Sequence, residues 1–260
     1  MSTWLITGAT SGFGRLVADR VLAAGHYLIA IGRRRDRLDE LVSSAPGQVT
    51  AIALDVTDAS AEQVIADAVR AAGGLDVVVN NAGYGLFGAV EQTDADAAKA
   101  IFDTNVLANL AVLRATLPAI GASKGRIIQL SSLLGSFSWP SSGLYSASKA
   151  AVEMLSEGLA HELAPTGAKV TVIQPGTFAT EFVGTAHVVP PNETYQPTVG
   201  AFLEQISQLP PEALGDPNTV ADAILTVATM DEPPLRLAVG QDSIDAIRNA
   251  LQTRLTELGA

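Results

Sequence analysis

Tyr145 and Lys149 stand four residues apart in the stretch Leu144-Tyr145-Ser146-Ala147-Ser148-Lys149, and Ser132 lies thirteen residues upstream of the tyrosine. If a helix begins near Gly143, the tyrosine and lysine side chains project from one face, one above the other. A free tyrosine titrates near about 10 and exchanges protons poorly at neutral pH. An ammonium held beside it favours the phenolate and draws that pKa down, which turns the phenol into a usable acid and base. Ser132 adds a hydroxyl able to hold a substrate oxygen. Taken alone the pair is weak, because Tyr and Lys at helical spacing commonly form a solvated face with a snorkelling lysine. Its weight comes from the other signals that accompany it in order.

The elements that must position these residues alternate along the chain. Short apolar runs over 4–7, 27–31, 48–54 and 75–79 have the look of buried strands. Between them, 15–24 carries Leu16, Val17, Val21 and Leu22 at helical spacing before a Gly25 cap, and 35–43 carries Leu38, Leu41 and Val42. Thr57 or Asp58 is positioned to cap a third helix running to 72. Further on, 94–120 predicts two helices broken near Asn105, 126–130 a strand, 144–163 a long helix and 169–173 a strand. A short helix over 198–207, a helix opened by Asp216-Pro217, a strand over 235–239 and a last helix capped by Asp242 follow. That last helix places Ile244, Ile247, Leu251, Leu255 and Leu258 on one face. Near-continuous apolar strands separated by helices imply a parallel sheet covered on both faces. The expectation is a single-domain α/β fold over 1–260: a Rossmann-type, doubly wound parallel sheet of about seven strands.

Composition narrows the function classes. The chain of 260 residues is 48% hydrophobic and 17% charged, with a net charge of −11. Such a balance suits a globular protein and argues against nucleic acid or an anionic membrane surface as partner. No cysteine is present, so disulfides, thiolate metal ligands and thiol nucleophiles are excluded. The three histidines, His26, His161 and His187, are too scattered for a metal site, and no Gly-x-Ser-x-Gly elbow occurs. His161 with Glu162 reads as a solvated or subunit-facing pair, and Glu181 and His187 read as surface residues. With no basic leader and no uncharged apolar stretch long enough to span a bilayer, the expected location is cytoplasmic.

A second set of residues points to a nucleotide. Thr7-Gly8-Ala9-Thr10-Ser11-Gly12-Phe13-Gly14 joins the first strand to its helix, where glycines permit a sharp turn and close approach of backbone N–H groups to a pyrophosphate. A ligand-free tight turn would use the same glycines. Asp55-Val56 ends the third strand and Asn80-Asn81-Ala82-Gly83 the fourth, on the same edge of the sheet. Loop capping is the simpler reading of the two asparagines, and both tasks are compatible. Behind the second strand stand Gly32 and then Arg33, Arg34 and Arg35, where NAD-selecting proteins commonly place an acidic residue. Arginines at a helix N-terminus oppose the macrodipole, so the run asks for an anion; the 2′-phosphate of NADP(H) suits a guanidinium fork. Arg33 is the first candidate and Arg34 the second, with Arg35 and Arg37 free to pair with Asp39 or Glu40.

With these motifs in this order, the chain resembles the short-chain dehydrogenase/reductase family over about its first 180 residues. Beyond Pro175 it is similar to the 17β-hydroxysteroid and retinol dehydrogenase subgroup. The resemblance implies that Tyr145 is the general acid in carbonyl reduction and the general base in alcohol oxidation. It implies that Lys149 lowers the Tyr145 pKa and binds the nicotinamide ribose, that Ser132 rather than Ser131 holds the substrate oxygen, and that Asn105 positions a water. It implies cofactor contacts from Gly8, Thr10, Ser11, Gly12, Phe13, Gly14, Asp55, Val56, Asn81, Ala82, Gly83, Pro175, Gly176, Thr177 and Thr180, with no metal. It further implies a homodimer or homotetramer through the helices around 106–120 and 144–163. The segment 177–210, with Gly184, Pro190, Pro191 and Pro197, is expected to be a substrate-binding loop, and 178–197 a mobile lid. Its Phe178, Phe182, Val183, Val188 and Val189 suit a lipophilic carbonyl or alcohol. The rivals are a nucleotide-sensing regulator without turnover, which would be expected to lose Tyr145 or Lys149, and a methyltransferase, which would want an acid where Gly32-Arg33 stands.

Overall fold

Seven strands from both ends of the sequence join one parallel sheet in the order β3-β2-β1-β4-β6-β7-β9. They are β1 (Thr3–Thr7), β2 (Tyr27–Gly32), β3 (Val49–Ala53), β4 (Val77–Asn80), β6 (Arg126–Leu130), β7 (Lys169–Pro175) and β9 (Arg236–Val239). The remaining two, β5 (Leu86–Phe87) and β8 (His187–Val188), pair with each other above the sheet. These features come from a computed structural model that describes residues 1–259; the side chain of Val183 lies outside the described set.

The period of two along each strand sorts side chains to opposite faces. Ile6, Leu28 and Ala30 join one core with Val17 and Val21 of α1 (Gly12–Ala23), Leu38 and Leu41 of α2 (Arg35–Ser44) and Ile224 of α9 (Asn218–Thr229). Leu5, Ile29 and Ile31 join the other with Ile65 and Val69 of α3 (Ala61–Ala71), Val112 and Leu113 of α5 (Ala108–Ser123) and Leu159 of α6 (Gly143–Leu163). Val42, expected inward, is exposed on α2. After β3 the chain returns to the far side of β1 to form β4. Beyond the carboxyl ends of these two strands lies the topological switch point, where open α/β sheets bind ligands.

Several boundaries differ from expectation for local reasons. The third helix starts at Ala61, because Thr57 is drawn into a turn with the Asp55 carboxylate and neither Thr57 nor Asp58 caps. Asp94 does cap α4 (Ala95–Phe102), accepting from the Ala97 amide at 2.7 Å. At Asn105 the helix does not break; one π turn, Asp103–Leu107, carries α4 directly into α5. The fused run Ala95–Ser123 is 29 residues long, and an 18-residue window within it has a mean hydropathy of 1.4. By length and composition alone it is long and apolar enough to cross a membrane, a test that a core helix also passes. The run contains Asp96, Lys99, Asp103 and Arg114, and α5 packs beside α3 on one face of the sheet.

The segment after β7 is more structured than a loop. It contains α7 (Phe182–Thr185), β8, a π turn Gln196–Gly200 and α8 (Ala201–Ser207). Phe178 does not belong to a lid surface: it is buried in the main core, edge-on to Phe13 with ring centroids 5.7 Å apart. The last helix, α10 (Gln241–Glu257), begins one residue before Asp242, whose carboxylate instead accepts from the Thr177 amide at 2.7 Å. Along its expected apolar stripe Leu251, Leu255 and Leu258 are exposed.

Candidate active site

Helix α6 begins at Gly143, so Tyr145 and Lys149 share a face one turn apart, and the Lys149 Nζ lies 5.8 Å from the centre of the Tyr145 ring. Both side chains are buried, Tyr145 at 5% and Lys149 at 6% exposure. The ammonium donates to the Leu130 carbonyl at 2.8 Å, at the end of β6. Its burial draws the Lys149 pKa down to about 8, against the attraction of Glu153 one turn further along. Burial likewise pushes the Tyr145 phenol above its ordinary value, and the Ser132 hydroxyl offsets only part of the rise. The expected depression of the Tyr145 pKa by Lys149 is therefore not met: desolvation of a phenolate outweighs an ammonium turned toward a carbonyl.

Ser132 caps a 3-10 turn, Leu133–Gly135, its hydroxyl accepting from the Leu134 amide at 3.2 Å while it faces Tyr145. Ser131 points the other way, into the protein beside Gly135, and its hydroxyl has no partner among the described residues. Asn105, buried in the π turn, uses its side-chain amide on structure. Its Oδ1 accepts from the Tyr84 amide at 3.1 Å, and its Nδ2 donates to the Tyr84 carbonyl at 3.1 Å and to Ser148 Oγ at 3.0 Å. Only one Oδ1 lone pair is left for a water. Gly83 fits between these groups: a Cβ there would stand 2.9 Å from Asn105 Oδ1 and 3.6 Å from Lys149 Nζ.

The glycine turn sits at the ends of β1 and β4. Asn81 donates its side-chain amide to the Thr7 carbonyl at 2.9 Å, and Thr7 Oγ1 accepts from the Asn81 and Ala82 amides, both at 3.0 Å. A Cβ on Gly14 would come within 2.4 Å of the Gly8 carbonyl, so this close packing of helix on turn demands glycine. Gly12 instead has φ +51° and open space before it apart from Thr180. No side chain caps α1 at Ser11 and no acidic residue occupies its first turn, which leaves the amides of Gly12, Phe13 and Gly14 directed at the crevice. That donor set fits a pyrophosphate. Asn80 turns away, donating to Asn109, which donates to Gln129.

The arginine run is divided. Arg33 is 80% exposed and, among the described residues, pairs with Asp55 at 3.6 Å. Burial would raise the Asp55 carboxyl, but bonds from Thr57 and the Arg33 charge hold it below its ordinary value. Val56 next to it is buried in the core. Arg34 folds over the glycine turn and donates to the Thr10 carbonyl at 3.1 Å and to its hydroxyl at 3.3 Å. The expected pairing of Arg37 with Asp39 or Glu40 is not found: Arg37 meets Glu181, and Glu40 meets Arg15 at 2.9 Å. At Gly32 any side chain, acidic or not, would force a shift, since a Cβ there would lie 2.6 Å from the Thr10 methyl. Pro175 ends β7; Gly176 is required because a Cβ would overlap the Asp242 carboxylate that holds Thr177.

Aromatic residues enclose the phenol. Phe87 and Phe182 lie 5.6 and 5.7 Å from the Tyr145 ring, in a cluster with Leu86, Ile101, Leu133 and Trp139. Phe87 and Trp139 were not among the sequence expectations. The signal for the first was present as Gly85 and Gly88, where a Cβ would meet Phe87 or Phe182 and Val189.

The sequence pattern described as short chain dehydrogenase matches residues 2–187. The chain is 38% identical to oxidoreductase BOA17 of Botryotinia fuckeliana over 246 residues, 93% of this chain and 90% of that one. To the 3-ketodihydrosphingosine reductase of Bacteroides thetaiotaomicron it is 33% identical over 240 residues, 91% and 87% of the two chains. A short-chain dehydrogenase structure from Streptomyces avermitilis superposes with a TM-score of 0.92 at 40% identity, covering 99% of this chain and 94% of its own. The structure of ElxO with NADP bound gives a TM-score of 0.77 at 28% identity, covering 94% and 100%. The chain belongs to the short-chain dehydrogenase/reductase family and is a nicotinamide-dependent oxidoreductase.

Proposed function

We propose that the protein uses NADP(H) to interconvert a lipophilic carbonyl compound and its secondary alcohol, with Tyr145 carrying the proton. The observation that carries this reading is the setting of the Tyr145 phenol: Ser132 and Lys149 are its polar neighbours and apolar rings close the remainder. The nicotinamide, when bound, supplies or accepts the hydride. In reduction the Tyr145 hydroxyl gives its proton to the substrate oxygen, and in oxidation the phenolate takes it back. Ser132 donates to that oxygen and fixes its place. Lys149 would hold the ribose hydroxyls, and its charge would stabilise the phenolate that burial disfavours. Asn105 keeps Gly83 and Ser148 in register beside Lys149 and holds a water through its free lone pair.

The preference for NADP(H) rests on Arg33, Arg34 and the absence of an acid at Gly32. The ElxO structure with NADP bound shows that a relative accepts this cofactor. A lipophilic substrate suits the ring-lined walls, and one relative is named for reducing 3-ketodihydrosphingosine. Segment 177–210 forms the substrate-binding side, with the stretch from Glu181 to Val189 as its lid. Exposed Leu107, Met154 and Leu155 favour a homodimer or homotetramer through α5 and α6.

The test is nicotinamide absorbance with a panel of ketones and secondary alcohols, for the native protein and Tyr145→Phe. Phenylalanine preserves the packing with Phe87 and Phe182, so cofactor binding is expected to persist while turnover falls by at least about a hundredfold. Retained activity would remove Tyr145 from the proton role, and equal rates on small polar and large apolar carbonyls would remove the lipophilic substrate.

A further inference from the structure

Thr180, Glu181 and Phe182 are consecutive, yet each meets a different part of the site. Thr180 lies against Gly12 in the glycine turn, its Cβ 4.0 Å from where a Cβ on that residue would stand. Glu181 reaches the arginines behind β2, one carboxylate oxygen 3.4 Å from Arg34 Nη1 and the other 3.4 Å from Arg37 Nη1. Phe182 covers Tyr145 with ring centroids 5.7 Å apart. Arg34 is at the same time fixed to Thr10 of the turn. Of the arginines that ask for an anion, Arg34 thus already holds one, shared with Arg37 and supplied by the segment that shields the phenol.

We propose that Glu181 is a residue discriminating between the two cofactors: its carboxylate occupies Arg34 and Arg37, and a 2′-phosphate displaces it. This rests on the NADP(H) reading above. The carboxylate brings one negative charge to guanidinium groups that are more than a third exposed, where ion pairs are weak and screened. A 2′-phosphate brings nearly two charges and three acceptor oxygens, so it outcompetes the carboxylate for the same N–H groups. A ribose 2′-hydroxyl carries no charge and leaves the pairing intact. Displacement releases Glu181, and with it the adjoining Phe182 that keeps Tyr145 at 5% exposure. The residue that contests the site therefore also ties its occupation to access to the phenol. A ligand can shift the segment only through such differential contacts.

The experiment compares the native protein with Glu181→Gln, an exposed substitution that removes the charge and keeps the shape. Affinities for NADP⁺, NAD⁺, adenosine 2′,5′-bisphosphate and adenosine 5′-monophosphate are measured by calorimetric titration. The variant is expected to bind the two 2′-phosphorylated probes roughly two- to fivefold more tightly, the range of one exposed ion pair, with the other two unchanged. Hydrogen exchange in peptides spanning 180–186 is expected to quicken in the native protein with adenosine 2′,5′-bisphosphate but not with the monophosphate. In the variant it should be quick without either. Unchanged or weakened binding of NADP⁺ by the variant, in a native protein that prefers NADP⁺, would overturn the role of Glu181 alone. So would exchange that does not respond to the bisphosphate. A native protein that binds NAD⁺ at least as tightly as NADP⁺ would overturn the cofactor reading and this proposal with it.

Discussion

Replacing Lys149 with methionine is expected to stabilise the protein at neutral pH while abolishing its activity. The ammonium is 6% exposed, and burial draws its pKa from 10.5 to about 8 against the attraction of Glu153. That depression corresponds to roughly 3 kcal/mol of disfavoured charge. Methionine keeps an unbranched side chain of similar length without the charge. It forfeits the hydrogen bond to the Leu130 carbonyl, a loss of about 1 kcal/mol, while the attraction of Glu153 is already contained in the depressed pKa. A net gain of about 1–2 kcal/mol remains, which for a domain of this size raises the melting temperature by roughly 2 to 6 °C. An unfolded lysine keeps its proton up to about 10.5, whereas Lys149 in the folded protein loses it near 8. Between those values the unfolded state binds more protons, so native stability rises with pH; below 8 the penalty is complete. The advantage of Lys149→Met is therefore full at pH 7 and shrinks as pH rises through that window. Melting curves by circular dichroism at pH 7, 8, 9 and 10 on both proteins read it directly. A lower melting temperature for the variant at pH 7, or a difference independent of pH, would refute the reasoning.

Two further outcomes are expected. Arg33→Ala should weaken NADP(H) binding far more than NAD(H) binding, with the larger loss at low salt, measured by fluorescence titration at two ionic strengths; equal loss of both would show that Arg33 does not read the 2′-phosphate. Leu107→Glu and Leu155→Glu should each lower the mass found by light scattering at micromolar concentration, because both leucines are exposed on the fused α4–α5 run and on α6. A native protein that is already monomeric there would end the assembly proposal.

Much of the fold was legible because burial on both faces of a parallel sheet leaves a plain trace. Runs such as Leu5-Ile6 and Val77-Val78-Val79 have only one comfortable place, between two layers of helix. The strand over 126–130 was read with its observed bounds for the same reason. Errors collected where polar side chains have alternative partners. Thr57 and Asp58 look like caps, yet the Asp55 carboxylate captures Thr57 first. Asp242 also looks like a cap, but a strand end bearing Gly176 comes close enough to take its carboxylate. Neither competition can be seen without knowing which elements are neighbours. The π turn at Asn105 was misread as a break because one added residue in a helix leaves no periodicity signal beyond a change of face.

The candidate site follows the same physics. Thr7, Asn80, Asn81 and Asp55 at strand ends, and Asn105 in the π turn, are polar residues whose hydrogen bonds go mainly to other protein groups. Their spacing announces a nucleotide site because the site requires that scaffold, although most of their bonds face inward. The groups left over are few: the uncapped amides at the start of α1, the exposed Arg33, and Tyr145 with Ser132 and Lys149. The apolar enclosure was the least legible part, since Phe87 and Phe182 meet only after β5 and β8 pair across 100 residues of chain. That enclosure decides the electrostatics. It raises the phenol and lowers the ammonium together, so the two groups that must share a proton and a charge are each held in their neutral-favouring state by the same desolvation. An added positive charge in the crevice would pull Tyr145 down and Lys149 further down, which makes the proton affinity of the pair depend on what the crevice holds.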